Sequence, residues 1–293
     1  MEPNHREHSG PIVGFADWKT KETTELIVIY CQTCRFRHLD PLPAKDIYSS
    51  GYYHSQIKPA MRDEYSQDGK WWNAIYGDML FAIGSLAPNR TLLDVGAGTG
   101  DFVNFSNAHG YSAIGLEPDT SMAEHDPIHI VNCGYGDYVD RNVGVISAHW
   151  VLEHLSDPVH FLEWAHKSLA PGGVLLITIP NDFSSIQELA AKHIARPYYW
   201  LHPTHTNYWP ALEFPLFLRR HRFTVRQAYG SWEPEQYLLD DTIYLDDHKL
   251  GRHLHSERKR RDLDYSDEYR REKYILLGAN GRGRDVTFCA VKQ

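Results

Sequence analysis

From Thr91 onward, short β-rich runs alternate with helix-length amphipathic segments. TLLDV (91–95), SAIGLE (112–117), PIHIVN (127–132), VGVISA (143–148) and VLLITI (174–179) are the predicted strands. Alternation at this spacing predicts a doubly wound, mostly parallel α/β sheet, because parallel strands need crossovers long enough to carry a helix. The helix ahead of VLLITI is the best punctuated. Ser156 or Asp157 serves as N-cap, Pro158 opens the first turn, Val159, Leu162, Ala165 and Leu169 share a face, and Gly172-Gly173 ends it. Upstream, residues 46–90 read as helical and aromatic-rich. Downstream, RFTVRQAYG (222–230) and DVTFCAVKQ (285–293) read as two closing strands separated by an insertion of helix and loop.

The first strand runs into the turn LLDVGAGTGDF (92–102). A dinucleotide site spaces its glycines G-x-G-x-x-G and places a pyrophosphate at the following helix N-terminus. Here the spacing is Gly96-x-Gly98-x-Gly100, and Asp94 stands two residues before the first glycine. A carboxylate at that point repels a pyrophosphate and attracts a cation, so the charge favours a cationic nucleoside such as S-adenosylmethionine. Glu117, at the end of the next strand in GLEPD, stands where a carboxylate accepts from both hydroxyls of a ribose.

Composition narrows the setting. The 293 residues are 42% hydrophobic and 23% charged, enough for one large core with a smaller appended region. A net charge of −8 gives no whole-molecule footprint for nucleic acid or for an anionic membrane. The first twenty-five residues lack a secretory core, and the longest apolar runs, ELIVIY and GVLLITIP, are strand-sized. A cytoplasmic protein with no membrane partner is expected.

LLDVGAGTGDF, GLEPD, VISAHWVLEHLSDP and LAPGGVLLITIPN resemble, in order, the successive motifs of class I S-adenosylmethionine-dependent methyltransferases, across about residues 88–182. The resemblance implies a Rossmann-like seven-stranded sheet and S-adenosylmethionine as cofactor. It further implies that Asp94, Gly96, Ala97, Gly98 and Gly100 line the methionine and ribose side, that Glu117 with Pro118 holds the ribose diol, and that His149 borders the cofactor. The adenine contact falls around Cys133 to Asp137. One departure is that the fourth strand opens Val143-Gly144, where the family often has an aromatic-Asp pair.

The N-terminal region, YCQTCRFRHLDPLP followed by YSSGYY, resembles that of a methyltransferase subset in which a small zinc ribbon with two Cys-x-x-Cys pairs precedes the sheet. One pair is present, Cys31 and Cys34, and His5-x-x-His8 stands in place of the other, which implies zinc as a second cofactor held by His5, His8, Cys31 and Cys34. The same residues also read as free thiols behind a histidine-containing start.

Methyl transfer from a sulfonium is an in-line displacement, so the protein must position the acceptor and provide for loss of its proton. His149, Trp150, Glu153 and His154 follow the fourth strand, on the side where open α/β sheets bind ligands, and Asp182 follows the fifth. YYWLHPTHTNYWP (198–210) resembles a His-x-x-Tyr/Phe element that faces the acceptor. His205 is the candidate base, with His154 beside it as catalytic or architectural. Tyr208 and Trp209 read as walls or as core plugs, and Tyr53, next to Tyr52, as a lid or a packing residue. The run SERKRRDLDYSDEYRREK (256–273) interleaves acids with bases and reads as a solvated, salt-bridged helix, with Glu257–Arg261 and Asp267–Arg271 as i, i+4 pairs. An anion-binding role for Arg282 or Arg284 is left open.

The expected organisation is a ribbon-like segment over 1–45, a helical lid or linker over 46–90, the methyltransferase core over 91–230, an insertion over 231–285 and a closing strand over 286–293. The expected activity is methyl transfer to an oxygen or carbon of a small polar metabolite. The alternatives are an RNA or protein methyltransferase, and a non-catalytic cofactor-binding or zinc-dependent interaction protein. Nucleic acid is disfavoured by the acidic balance, and the oligomeric state is left open.

Overall fold

A computed structural model describes residues 8–9, 13–16, 23–26, 28–31, 35–39, 58–123, 126, 128–196 and 205–293. Its centre is a seven-stranded sheet. In chain order the strands are β1 (Thr91–Val95), β2 (Ser112–Leu116), β3 (Ile130–Val131), β4 (Val143–His149), β5 (Leu169–Pro180), β6 (Phe223–Gly230) and β7 (Asp285–Lys292). Their spatial order is β6-β7-β5-β4-β1-β2-β3. The pairs from β3 through β5 are parallel, and β7 runs antiparallel between β5 and β6.

The period of two along the strands sorts side chains between the faces. Leu93, Val95, Ile146, Ala148, Leu175, Ile177 and Ile179 point to one face, against Phe161, Leu162 and Ala165 of α3 (Pro158–Ser168) and Phe214, Phe217 and Leu218 of α5 (Phe214–Arg220). Leu92, Val145, Val174 and Leu176 point to the other. There they meet Met79 and Ile83 of α1 (Lys58–Gly84), Phe102 and Val103 of α2 (Asp101–Ala108), and Tyr274 of α8 (Asp267–Ala279). β4 and β5 are buried on both faces, which is why they read as unbroken apolar runs. The α3 cap is Asp157, whose carboxylate accepts from the His160 N–H at 2.9 Å. Val143-Gly144 also has a local cause, since a Cβ on Gly144 would lie 2.3 Å from the Asn89 carbonyl oxygen.

Between α3 and α5 lies α4 (Ser185–His193), and residues 231–285 contain α6 (Glu235–Leu239), α7 (His248–Asp264) and α8. The expectation of a solvated helix needs correcting. Lys259, Asp262 and Arg270 are buried against α1, because α1 supplies a polar partner for each. Lys259 Nζ donates to Asp68 at 2.7 Å, Trp71 Nε1 donates to Asp262 at 3.0 Å, and Arg270 makes a two-pronged contact with Asp78 at 2.7 and 3.0 Å. Asp68 is also where α1 kinks, at φ −113° and ψ 20°. The surface pairs are Glu257–Arg260 and Arg260–Asp264, in place of Glu257–Arg261, and Arg271 reaches Asp78 instead of Asp267.

A second, four-stranded sheet joins His8–Ser9, Val28–Cys31, Phe36–Leu39 and Asn207–Tyr208 in that order. Asn207–Tyr208 follows the fifth strand of the core, so this small sheet ties the N-terminal region to the loop carrying His205. Among the described residues, no helix is long and apolar enough to cross a membrane.

Candidate functional site

The turn after β1 takes its shape from three left-handed glycines, Gly96 at φ +72°, Gly98 at φ +57° and Gly100 at φ +84°. Two of them also lack room for a side chain. A Cβ on Gly96 would lie 2.6 Å from Val151 Cγ2, and one on Gly100 would lie 2.7 Å from Ile130 Cδ1. Gly96 and Ala97 donate their N–H groups to the Leu116 carbonyl at 2.8 and 3.1 Å, which holds the turn at the carboxyl end of β2.

Glu117 is buried at that same end and fastens the turn. One carboxylate oxygen accepts from the Gly98 N–H at 2.9 Å, and the other accepts from the Asp119 N–H at 2.8 Å. A carboxylate oxygen can accept more than one hydrogen bond, so the group stands where a ligand hydroxyl could also meet it. Pro118 lies in the same turn, and its carbonyl accepts from Asn132 Nδ2 at 3.1 Å. Asp94 lies deeper than its sequence position suggested. It stands in register with Ser147 of β4, whose hydroxyl donates to it at 2.7 Å. Burial pushes its carboxyl up to about 7, with the Ser147 bond opposing and the Glu117 charge adding to the rise.

A second rung crosses the sheet. His149, Thr178 and Thr287 are register partners on β4, β5 and β7. His149 Nδ1 meets Thr178 Oγ1 at 2.8 Å, and Thr178 Oγ1 meets Thr287 Oγ1 at 2.8 Å. Burial drives the imidazole down to about 4, so it is neutral, and its buried Nε2 has no partner among the described residues. Phe102 sits edge-on to the ring at 5.1 Å.

After β4 the chain turns at Trp150, φ +54°, whose indole donates to Asp285 at 3.1 Å. Leu152–His154 form one 3₁₀ turn. The segment with His205 is clamped onto it. Thr206 donates its N–H and hydroxyl to the Glu153 carbonyl at 2.6 and 3.1 Å, and Asn207 Nδ2 donates to the Leu152 and Leu155 carbonyls at 3.0 and 2.6 Å. The rings of His154 and His205 end 4.8 Å apart at 79°. Tyr208 is buried and donates its hydroxyl to the His205 carbonyl at 2.9 Å, so it holds this loop from behind. Trp209 belongs to the core, packed on Phe36, Phe214 and Phe217.

Asp182 lies beneath the rim instead of on it, paired with Arg284 Nη1 at 3.0 Å. Burial raises its carboxyl despite that cation. Glu153 is 1% exposed and neither carboxylate oxygen has a hydrogen-bond partner on another described residue. Burial pushes this carboxyl well above the usual range, and the Asp285 and Asp182 charges add to it. Half-buried Arg284 and Asp285, in the run that opens β7, and buried Glu235 of α6 complete this polar cluster. Of these, Arg284 was raised from sequence, with an anion-binding role left open, and the anion it meets is the Asp182 carboxylate; Asp285 and Glu235 were not among the predicted site residues. Arg282, left open from sequence, pairs with Glu233 at 2.6 Å. His5, Cys34, Tyr52 and Tyr53 lie outside the described residues. Cys31 is buried, and its backbone pairs with His8 across the small sheet.

The glycine turn with Glu117, the His149 rung and the His154–His205 pair therefore share one end of the sheet. The link between them is Val151, which fills the space a Gly96 side chain would need.

Residues 74–228, more than half of the chain, match the model of a methyltransferase domain family. No curated protein matches the chain. Solved structures similar to it include the methyltransferase in a complex with the Haloferax volcanii Trm112 methyltransferase activator (15% identity, 85% of this chain and 99% of that one, TM-score 0.48). An S-adenosylmethionine-dependent methyltransferase from Archaeoglobus fulgidus shares 18% identity over 74% of this chain and 93% of its own, with TM-score 0.48. One from Thermotoga maritima shares 16% over 81% and 98%, also with TM-score 0.48.

Proposed function

Because the chain belongs to the methyltransferase domain family and is an S-adenosylmethionine-dependent methyltransferase, we propose that it methylates an oxygen or carbon of a small polar acceptor held between Trp150, His154 and His205. The observation that carries this reading is the contact of Val151 with Gly96, which sets the acceptor turn directly against the cofactor turn.

The residues fit the cofactor. Three left-handed glycines leave backbone open to a close approach, Glu117 stands at the end of β2 where a carboxylate can accept from a ribose diol, and Asp94 supplies negative charge without phosphate-binding geometry. S-adenosylmethionine, when bound, supplies a methyl group on a positively charged sulfur. Gly96, Ala97, Gly98 and Gly100 would line its methionine and ribose side, with Glu117 and Pro118 at the ribose and the neutral His149 bordering it. Displacement requires the acceptor on the far side of the methyl, in line with the breaking bond. His154 and His205 are the side chains placed to orient it and to deal with the proton of a hydroxyl. Tyr208 and Asp182 act behind them, by fixing the His205 backbone and Arg284. Tyr53 is read as part of the lid over this site.

The N-terminal pairs belong to the same reading as a structural zinc site of His5, His8, Cys31 and Cys34, supported by the cross-strand pairing of His8 with Cys31. Metal content near one zinc per untagged chain is the expected result, and a content near zero would leave ordinary thiols.

Incubation with methyl-labelled cofactor and fractionated extract tests the acceptor class. Label is expected in small molecules. Label in RNA or protein, or in neither fraction, would overturn the assignment.

A further inference from the structure

Glu153 poses a problem that the cofactor site does not solve. Its side chain is 1% exposed, no other described residue donates a hydrogen bond to either oxygen, and its charged neighbours include two acids, Asp182 and Asp285. A carboxylate buried in that way requires a cation or a proton. Arg284 is committed to Asp182 at 3.0 Å. The side chains closest in chemistry are two imidazoles. One ligand-type atom from each of Glu153, His154 and His205 lies within 4.8 Å of the other two. Donors around one ion at about 2.1 Å stand roughly 3.5 Å from each other, so modest side-chain rotation closes the set.

The backbone is built to hold that set. His205 and His154 come from segments about fifty residues apart, yet Thr206 and Asn207 bond the Glu153, Leu152 and Leu155 carbonyls, and Tyr208 bonds the His205 carbonyl. Preorganisation of ligands by neighbouring hydrogen bonds is what a metal site requires.

We propose that Glu153, His154 and His205 bind one divalent transition-metal ion, whose open positions receive the oxygen of a hydroxyl-bearing acceptor. Two imidazoles and a carboxylate suit manganese, iron, cobalt or zinc better than calcium or magnesium. The proposal rests on the methyl-transfer reading and assigns the imidazoles a different duty within it. Their lone pairs hold the metal, and the metal acidifies the acceptor. The acceptor O–H gives its proton to water. The resulting oxygen anion attacks the methyl carbon, a C–O bond forms, and the carbon–sulfur pair of electrons stays on sulfur.

The test uses manganese(II) with the full chain, because this ion disfavours the thiolates of Cys31 and Cys34. Electron paramagnetic resonance is expected to count one bound ion per chain. Glu153→Gln and His205→Ala should each lower its affinity at least tenfold. Melting curves keep the result clear of misfolding, since manganese should raise the midpoint of the natural chain and not that of a folded Glu153→Gln chain. Manganese bound equally by both variants, or not bound at all, overturns the site. Calorimetry of S-adenosylmethionine on the same samples separates the two readings. Cofactor binding without metal binding removes only the metal, whereas loss of cofactor binding in the natural chain removes the methyl-transfer reading itself.

Discussion

Glu117 Oε2 accepts a hydrogen bond from the Gly98 N–H at 2.9 Å, so the acid at the end of one strand fixes the glycine turn at the end of its neighbour. The glycine turn and the acid proposed to hold the ribose are therefore one unit, and a change in either should be felt by both.

Asp94 makes that unit sensitive to pH. Its folded carboxyl titrates at about 7 against 3.8 for the ordinary group, so between these values the native chain binds more protons than the unfolded one. Its contribution to stability is then full below the unfolded value and is lost as pH rises through about 7. A cationic ligand favours the ionised form, so S-adenosylmethionine affinity should rise with pH up to about 7 and level off, with proton release below it. Calorimetry in buffers of different ionisation enthalpy reads this directly. Asp94→Asn should flatten the profile, and a flat profile in the natural chain would place Asp94 out of reach of the cation.

Gly96→Ala should abolish cofactor binding and destabilise the fold by roughly 1–3 kcal/mol, since it combines φ +72° with a Cβ 2.6 Å from Val151. Gly77→Ala is the control. That glycine lies inside α1 with its nearest neighbour at 4.0 Å, so the change should stabilise by about 0.5–1 kcal/mol. Denaturant melts of the two variants should move in opposite directions.

Arg270→Ala should cost about 3 kcal/mol, because it leaves Asp78 buried beside only the more distant Arg271 at 3.4 Å. Arg260→Ala, at an exposed surface pair, should leave the melt unchanged. Equal effects would mean that α8 does not dock on α1 through the Asp78 contact.

The core was readable because its signals are local. Strand alternation in TLLDV, the glycine spacing, and the Asp157-Pro158 cap each depend on residues within a few positions. The insertion misled because Lys259 and Asp262 on α7 and Arg270 on α8 lie on two strongly polar helices, and their partners Asp68, Trp71 and Asp78 come nearly two hundred residues earlier. Glu153 stood in a legible motif, but its isolation did not. That depends on Asp285 and Arg284 arriving with the last strand, and on Arg284 pairing with Asp182. Trp209 shows the same limit, since an aromatic next to His205 reads as a site wall until Phe36 from the small sheet is seen packed on it at 5.1 Å.

The most direct measurement is calorimetric titration of the natural chain and of Glu117→Ala with S-adenosylmethionine, S-adenosylhomocysteine and NAD. One site per chain is expected for both adenosyl ligands and none for NAD. Glu117→Ala should weaken both adenosyl ligands by about 1.5–3 kcal/mol, the scale of hydrogen bonds to a charged group. Saturable NAD binding with no response to either adenosyl ligand would contradict the assignment of the glycine turn to S-adenosylmethionine.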